Sequence, residues 1–496
     1  MLRMADQPNI VLFLTDQLRA DALGCYGNTI CPTPNLDRFA ANGMLFDNAF
    51  TTSPACSPSR ASLMTGNYSH NHGVLLNTHI DPAFSRGLDP QTETFADVLK
   101  GAGYRTDYIG KWHVHETLPP TEYGFDRYED RWGSRGDRVP GSEIAIDFPG
   151  GSVPVAATAT TDAQKLFPAE AVTRGLEMIN DRAVEANPFF LRIDVVEPHF
   201  ECTPPEPFAS LVDPKSIPPW PNFEETFEGK PMSHLRKHQE WHLEEYDWEW
   251  WSKVVAKYYG VISYVDACFG KLMEGLEESG LSNNTIVVFS TDHGDAMGSH
   301  KHFEKAGTLY DEVYRVPLIM GGPKRWVQPG ERKEFVRLLD LAPTFAEWAE
   351  TEFSSPIDGL SAAPLAAGKT PEAWPDSVYA EYHGEVWGYN SQRMVRTENW
   401  KYGFEPNGLD ELYDLKNDPH EMINLIDEAE HSGTVTEMRG RLHGWIDATA
   451  DHFTWPWVKM NLPDPIMPKG ITTPRKQGKQ SESQRNYANS IRQNKD

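Results

Sequence analysis

Residues 285–295 read TIVVFSTDHGD. A strand-length apolar run of mostly β-branched residues gives way at once to threonine, aspartate, histidine and glycine. Such a continuous run fits a strand covered on both faces, as in a parallel sheet packed between helices. In open sheets of that kind, ligands bind beyond the carboxyl ends of the strands. Asp292 and His293 therefore stand where such a fold places its chemistry. Three other runs share the design. IVLFL (10–14) is followed by Thr15, Asp16 and Gln17; TDYI (106–109) by Gly110, Lys111, Trp112 and His113; FFLRIDVV (189–196) by Glu197, Pro198 and His199. One such coincidence is easy. Four predict an α/β fold with a mainly parallel sheet flanked by helices.

The intervening helices are legible. Asn35 to Gly43 follows a proline, carries Leu36, Phe39 and Ala40 on one face and stops at glycine. A long helix is predicted from about Trp251 to Gly280, with the stripe Val255, Tyr258, Ile262, Val265, Phe269, Leu272 and Leu276 as core packing. Near residue 375 the pattern changes to short, turn-bounded, polar-alternating runs, VYAEYHGEVW, QRMVRTENWKYGF and ELYDL, which fit a small antiparallel sheet. A helix over about 433–451 follows. The expected organisation is a large α/β domain over 1–375, a smaller C-terminal α+β domain over 376–460, and an extended basic tail over 461–496.

The formal net charge is −26. Residues 469–496 hold seven Lys or Arg against two acids, a surplus of five, so the rest stands at −31. That field opposes nucleic acid, and an anionic substrate must be captured by a local positive site. No apolar run approaches membrane-spanning length, and MLRMADQPNIVLFLTDQ at the start has no export-signal core. The expectation is a cytoplasmic protein with no membrane partner. Five scattered cysteines (25, 31, 56, 202, 268) without a C-x-x-C imply neither a structural zinc site nor a disulfide framework.

Asp16, Gln17, Asp292 and His293 offer oxygen and imidazole ligands from two strand ends. Hard oxygens favour calcium or magnesium, while a histidine and an amide tilt the set toward manganese. The alternative for each aspartate is a helix cap. The stretch SPACSPSRASLMTG (53–66) adds a thiol. Ser57 and Pro58 read as an N-cap and first helical position, which puts Cys56 just outside a helix N-terminus. Backbone N–H groups attract an anion there, and Arg60 adds a fork for its oxygens. A buried structural cysteine is the other reading of these residues.

C-S-P-S-R followed by A-S-L-M-T-G resembles the C-x-P-x-R signature of the type I, formylglycine-dependent sulfatases of the alkaline phosphatase superfamily. TDQLRAD (15–21), GKWH (110–113), EPHF (197–200), TDHGD (291–295), FEKAGTLYDEVYRVPLI (303–319), MVRTENWKY (394–402) and ELYDLKNDPHE (411–421) extend the resemblance in order along the chain. It implies that Cys56 is oxidised to formylglycine by a formylglycine-generating enzyme. It also implies that Asp16, Gln17, Asp292, His293 and residue 56 hold one divalent cation, calcium or manganese. Arg60, Lys111 and Lys305 would neutralise the transferred group. His199, with Lys305, would protonate the departing alcohol, and His113 would take the proton of the second hydroxyl of the aldehyde hydrate. The implied activity is hydrolysis of a small anionic sulfate ester.

One departure stands out. The common sulfatase pattern has a second aspartate where Gln17 stands and often asparagine where His293 stands. The Asp-Gln…Asp-His set is similar to phosphonate monoester and phosphodiester hydrolases of the superfamily and to some bacterial sulfatases, which gives an alternative substrate class. Residues 220–251 add five tryptophans, expected to pack on the core or on another subunit, as in a homo-oligomer. His234, His238 and His242 are expected to be solvated or at an interface, and His70, His72 and His115 to be ordinary polar residues.

Overall fold

The computed structural model describes residues 7–80, 85–130, 136–305, 307–385, 388–452 and 459–471. Its centre is a sheet of eight strands: β1 (Asn9–Asp16), β2 (Met44–Phe46), β3 (Arg105–Gly110), β4 (Arg127–Glu129), β5 (Phe189–Pro198), β6 (Thr285–Thr291), β7 (Leu318–Gly321) and β8 (Gly330–Arg332). Their spatial order is β8-β2-β7-β6-β1-β5-β3-β4. The four runs singled out above are the consecutive, mutually parallel strands β6, β1, β5 and β3. Thr15 lies opposite Thr291, Asp16 opposite Pro198, and Gly110 opposite Asp194. Their polar ends thus open on one edge. Strand β7 runs against both of its neighbours.

Both faces of the sheet are covered, as continuous apolar strands require. Val11 and Phe13 pack in one layer with the helices Pro34–Asn42, Phe167–Ala183 and Trp248–Glu278. Ile10, Leu12 and Leu14 pack in the other with Cys56–Thr65, Phe95–Gly101 and Leu341–Trp348. Burying one such side chain contributes about 1.5–3 kcal/mol, so β1 is apolar from Ile10 to Leu14 and polar residues enter only at its two ends. All seven residues of the predicted stripe on the long helix are buried. Thr94 and Asp97 form a reciprocal capping box that starts the helix Phe95–Gly101.

The C-terminal region forms an antiparallel sheet of four strands, β9 (Ser377–Glu385), β10 (Gly388–Thr397), β11 (Trp400–Phe404) and β12 (Glu411–Asp414), in that order. The helix Ser432–Thr449 packs on it through Met438, Leu442 and Trp445. Strand β9 joins the rest of the chain where Glu381 N–H donates to Thr52 O at 2.9 Å. Most of the predicted tail, residues 472–496, lies outside the described residues. Among the described residues, no helix is long and apolar enough to cross a membrane.

Candidate active site

The turn after β1 places the first candidate ligands. Gln17 has φ +65°, a left-handed conformation uncommon for a residue with a Cβ. It is held there by its N–H donating to Asp292 Oδ1 at 3.2 Å and by Tyr258 OH donating to Gln17 O at 2.9 Å. Asp16 and Asp292 therefore end two adjacent strands and face one space.

The helix bearing Cys56 enters that space. It begins two residues earlier than expected, at Cys56 rather than Pro58, because Ser59 N–H closes its first turn on Ala55 O at 3.0 Å. Ser57 is not its cap; Ser57 Oγ instead accepts from Thr78 N–H, and Ser57 N–H donates to Asn77 Oδ1. All ten residues of this helix are buried. Cys56 Sγ lies 3.2 Å from His293 Nε2 and 3.7 Å from Asp16 Oδ1. Asp16, Cys56, Asp292 and His293 offer ligand atoms that all lie within 4.8 Å of one another.

This donor set fits a cation. His293 Nδ1–H donates to Gly294 O at 2.9 Å, which aims the Nε2 lone pair at Cys56 and the two carboxylates. Burial pulls the His293 imidazole down, but Asp292 and Cys56 raise it to about 9. Burial alone would raise the Asp16 carboxyl; Lys111, His199, Arg60 and His293 hold it well below the usual carboxylate range.

A family model for the sulfatases matches residues 8–351. The chain belongs to the sulfatase family. A second model, the C-terminal region of N-sulphoglucosamine sulphohydrolase, matches residues 298–447. The arylsulfatase of Clostridium perfringens is 29% identical to this sulfatase over 493 residues, covering 89% of this chain and 96% of the relative. A solved structure in complex with its substrate D-glucosamine-2-N,6-O-disulfate has a TM-score of 0.75 at 24% identity and covers 90% of this chain and 99% of its own. The phosphonate monoester hydrolase of Agrobacterium radiobacter has a TM-score of 0.71 at 22% identity, covering 86% and 93%. The fold is shared with both solved structures, and the protein is a sulfuric ester hydrolase.

The other anticipated residues of the sulfatase surround the cluster. Lys111 Nζ pairs with Asp16 Oδ2. Lys305 Nζ donates to Gln17 Oε1 at 2.9 Å and lies 3.0 Å from His199 Nε2. His199 Nδ1–H donates to Phe200 O at 2.7 Å, so its Nε2 accepts from Lys305. Burial, and then Lys305, pull the His199 imidazole well below its usual value. Burial, Lys111 and Arg60 do the same to His113, whose Nε2 lies 2.8 Å from His79 Nδ1.

Arg60 turns its fork inward. It is fully buried and donates to Asp292 Oδ2 at 2.8 Å, Asp194 Oδ2 at 2.7 Å, Asp16 Oδ2 at 3.2 Å and Lys111 O at 2.9 Å. Asp194 was not singled out from the sequence, although the alternation of Arg192 and Asp194 inside FFLRIDVV marks a buried charged pair on one strand face. Asn77 and His79 carried no such signal.

The tryptophans pack on the core rather than standing free. Trp220 Nε1 donates to Met297 O at 2.8 Å, and Trp241 and Trp251 ring Phe303, two residues before Lys305. His234 and His238 are buried, not solvated, because this segment lies over the 299–310 loop. His234 Nδ1 meets Tyr310 OH at 2.9 Å and His238 Nδ1 donates to Lys301 O at 2.8 Å, while His242 is exposed. His70, His72 and His115 bond to Glu381, Ser62 and the backbone of Thr117 and Leu118, respectively.

Proposed function

We propose that this sulfatase cleaves small anionic sulfate esters with residue 56 as formylglycine, made from Cys56 by a formylglycine-generating enzyme. Asp16, Gln17, Asp292 and His293 would hold one divalent cation, calcium or manganese, beside it. The observation that carries the reading is the placement of Cys56 Sγ at 3.2 Å from His293 Nε2, within the Asp16–Asp292 cluster and at the start of a buried helix. The aldehyde hydrate would supply two hydroxyls on one carbon, and the cation would supply Lewis acidity to the hydroxyl and to the substrate oxyanion.

The protein's own residues do the rest. Lys111 and Lys305 present ammonium groups to the oxygens of the transferred group. Lys305 also holds a proton against His199 Nε2, so that pair delivers it to the departing alkoxide, with Lys305 as the group that carries it in the resting geometry. His113, kept neutral by burial and nearby cations, is ready to accept a proton from residue 56. Arg60 positions Asp16 and Asp292, with Asp194 anchoring its far side. The other four cysteines, Cys25, Cys31, Cys202 and Cys268, are free thiols, which fits a cytoplasmic location.

The amide at Gln17 favours a second reading, phosphonate monoester or phosphodiester hydrolysis on the same groups, because it removes one negative charge from the ligand set. Two measurements on one preparation decide. Mass spectrometry of the tryptic peptide spanning residue 56 is expected to show aldehyde in place of thiol. The kcat/KM for an aryl sulfate is expected to exceed that for a phenyl phosphonate. An inverted ratio assigns the second reading, and an unmodified thiol in active enzyme overturns the formylglycine assignment.

A further inference from the structure

The final residue of TDHGD has no part in the chemistry so far. Asp295 is completely buried just beyond β6. Its Oδ1 accepts from Met297 N–H at 2.8 Å, and its Oδ2 accepts from Gln17 Nε2 at 2.7 Å. The other end of the same amide meets Lys305, whose Nζ donates to Oε1 at 2.9 Å. Asp295 Oδ2 accepts a hydrogen bond from the amide and an ammonium can only donate one, so these two neighbours permit a single orientation of the Gln17 side chain. The Gln17 backbone is already pinned through Asp292 and Tyr258. Rotation of the amide is the freedom that Asp295 removes.

We propose that Asp295 is a positioning residue that turns the oxygen of Gln17, rather than its nitrogen, toward the cation. The inference rests on the reading of Gln17 as a ligand. An amide nitrogen has no lone pair to offer a metal, so a half-turn of this side chain would delete one ligand, and it would set Oε1 against Asp295 and Nε2 against Lys305. The pairing also accounts for the residue type at position 17. A carboxylate there would face the carboxylate of Asp295, and like charges in so buried a place disfavour one another. The acid sits one hydrogen bond behind the ligand, and the amide stands in front.

The pair can be inverted as a test. Asp295→Asn has one acceptor for two donors, and Met297 N–H, two residues away, is the nearer claimant, so Gln17 loses its anchor. Gln17→Glu sets two acids face to face. In the double variant the new amide donates to the new carboxylate while still accepting from Met297, and every hydrogen bond is restored. Mn2+ binding is measured by the paramagnetic signal of the free ion, with thermal midpoints for each protein. Each single change is expected to weaken Mn2+ binding by about tenfold or more, and the double variant to return to within a few-fold of the unaltered protein. Asp295→Asn binding Mn2+ as well as the unaltered protein, or losses that simply add in the double variant, would overturn the proposal. Failure of the unaltered protein to bind Mn2+ removes the ligand reading and this inference with it. Should the variants not fold, crystals of the unaltered protein grown with Mn2+ decide: Gln17 bridging the ion and Asp295 supports the proposal, and Gln17 swung off Asp295 ends it.

Discussion

Cys56 Sγ and His293 Nε2 stand 3.2 Å apart with both side chains closed off from solvent. On the proposed reading, a nucleophile precursor in contact with a cation ligand leaves little room for any other attacking group. Cys56→Ala is therefore expected to lower kcat on an aryl sulfate by on the order of 10^4-fold or more, with the thermal midpoint nearly unchanged. Turnover within tenfold of the unaltered enzyme would place the nucleophile elsewhere.

Arg60 answers three buried aspartates with one guanidinium. A lysine offers a single point of charge and cannot span them. Arg60→Lys is expected to cost about 3–5 kcal/mol of unfolding free energy, the scale of a broken buried pair, measured by urea denaturation. A loss below about 1 kcal/mol, the scale of an exposed pair, would mean that the carboxylates find other partners.

Asp16, Asp292 and His293 converge with Cys56 so that their ligand atoms lie within 4.8 Å of one another. Ca2+ or Mn2+ at a hundred times its dissociation constant is expected to stabilise the chelator-treated protein by about 2.7 kcal/mol, seen as a rise in thermal midpoint. Asp292→Asn should abolish most of the rise. An equal rise in that variant would locate the ion away from this cluster.

His70 makes a pH prediction far from the chemistry. Burial pulls its imidazole down, but Glu381, followed by Asp451, raises it to about 9 from an ordinary 6.5. A raised folded value means a stabilising contribution that is complete below pH 6.5 and is lost as pH rises through about 9. At about 1.4 kcal/mol per unit, unfolding free energy should fall by on the order of 3 kcal/mol across that window. His70→Gln should flatten this alkaline limb in denaturation series at several pH values. An unchanged limb would assign it to other groups.

Much of this was legible in the sequence because it depends on local pattern. Four apolar runs ending in polar residues are enough to place Asp16, Lys111, His199 and Asp292 on one sheet edge, once the strands are adjacent. What escaped depends on long-range company. The inward turn of Arg60 requires Asp194, which is 134 residues away. The orientation of Gln17 requires Asp295, 278 residues away. His234 and His238 look solvated on a polar helix, and only the fold of the 299–310 loop over them shows otherwise. The helix start at Cys56 escaped because Ser57, a natural cap by type, spends its hydroxyl on Thr78.

The seclusion of the helix Cys56–Thr65 has a bearing on biosynthesis. An enzyme that converts the residue-56 thiol needs physical access to it, and the finished molecule grants none. Residue 56 leaves the ribosome early, whereas His293, which lies against it, is made more than two hundred residues later. Maturation of this hydrolase would then be a race between oxidation and folding, and slower elongation should yield a larger converted fraction.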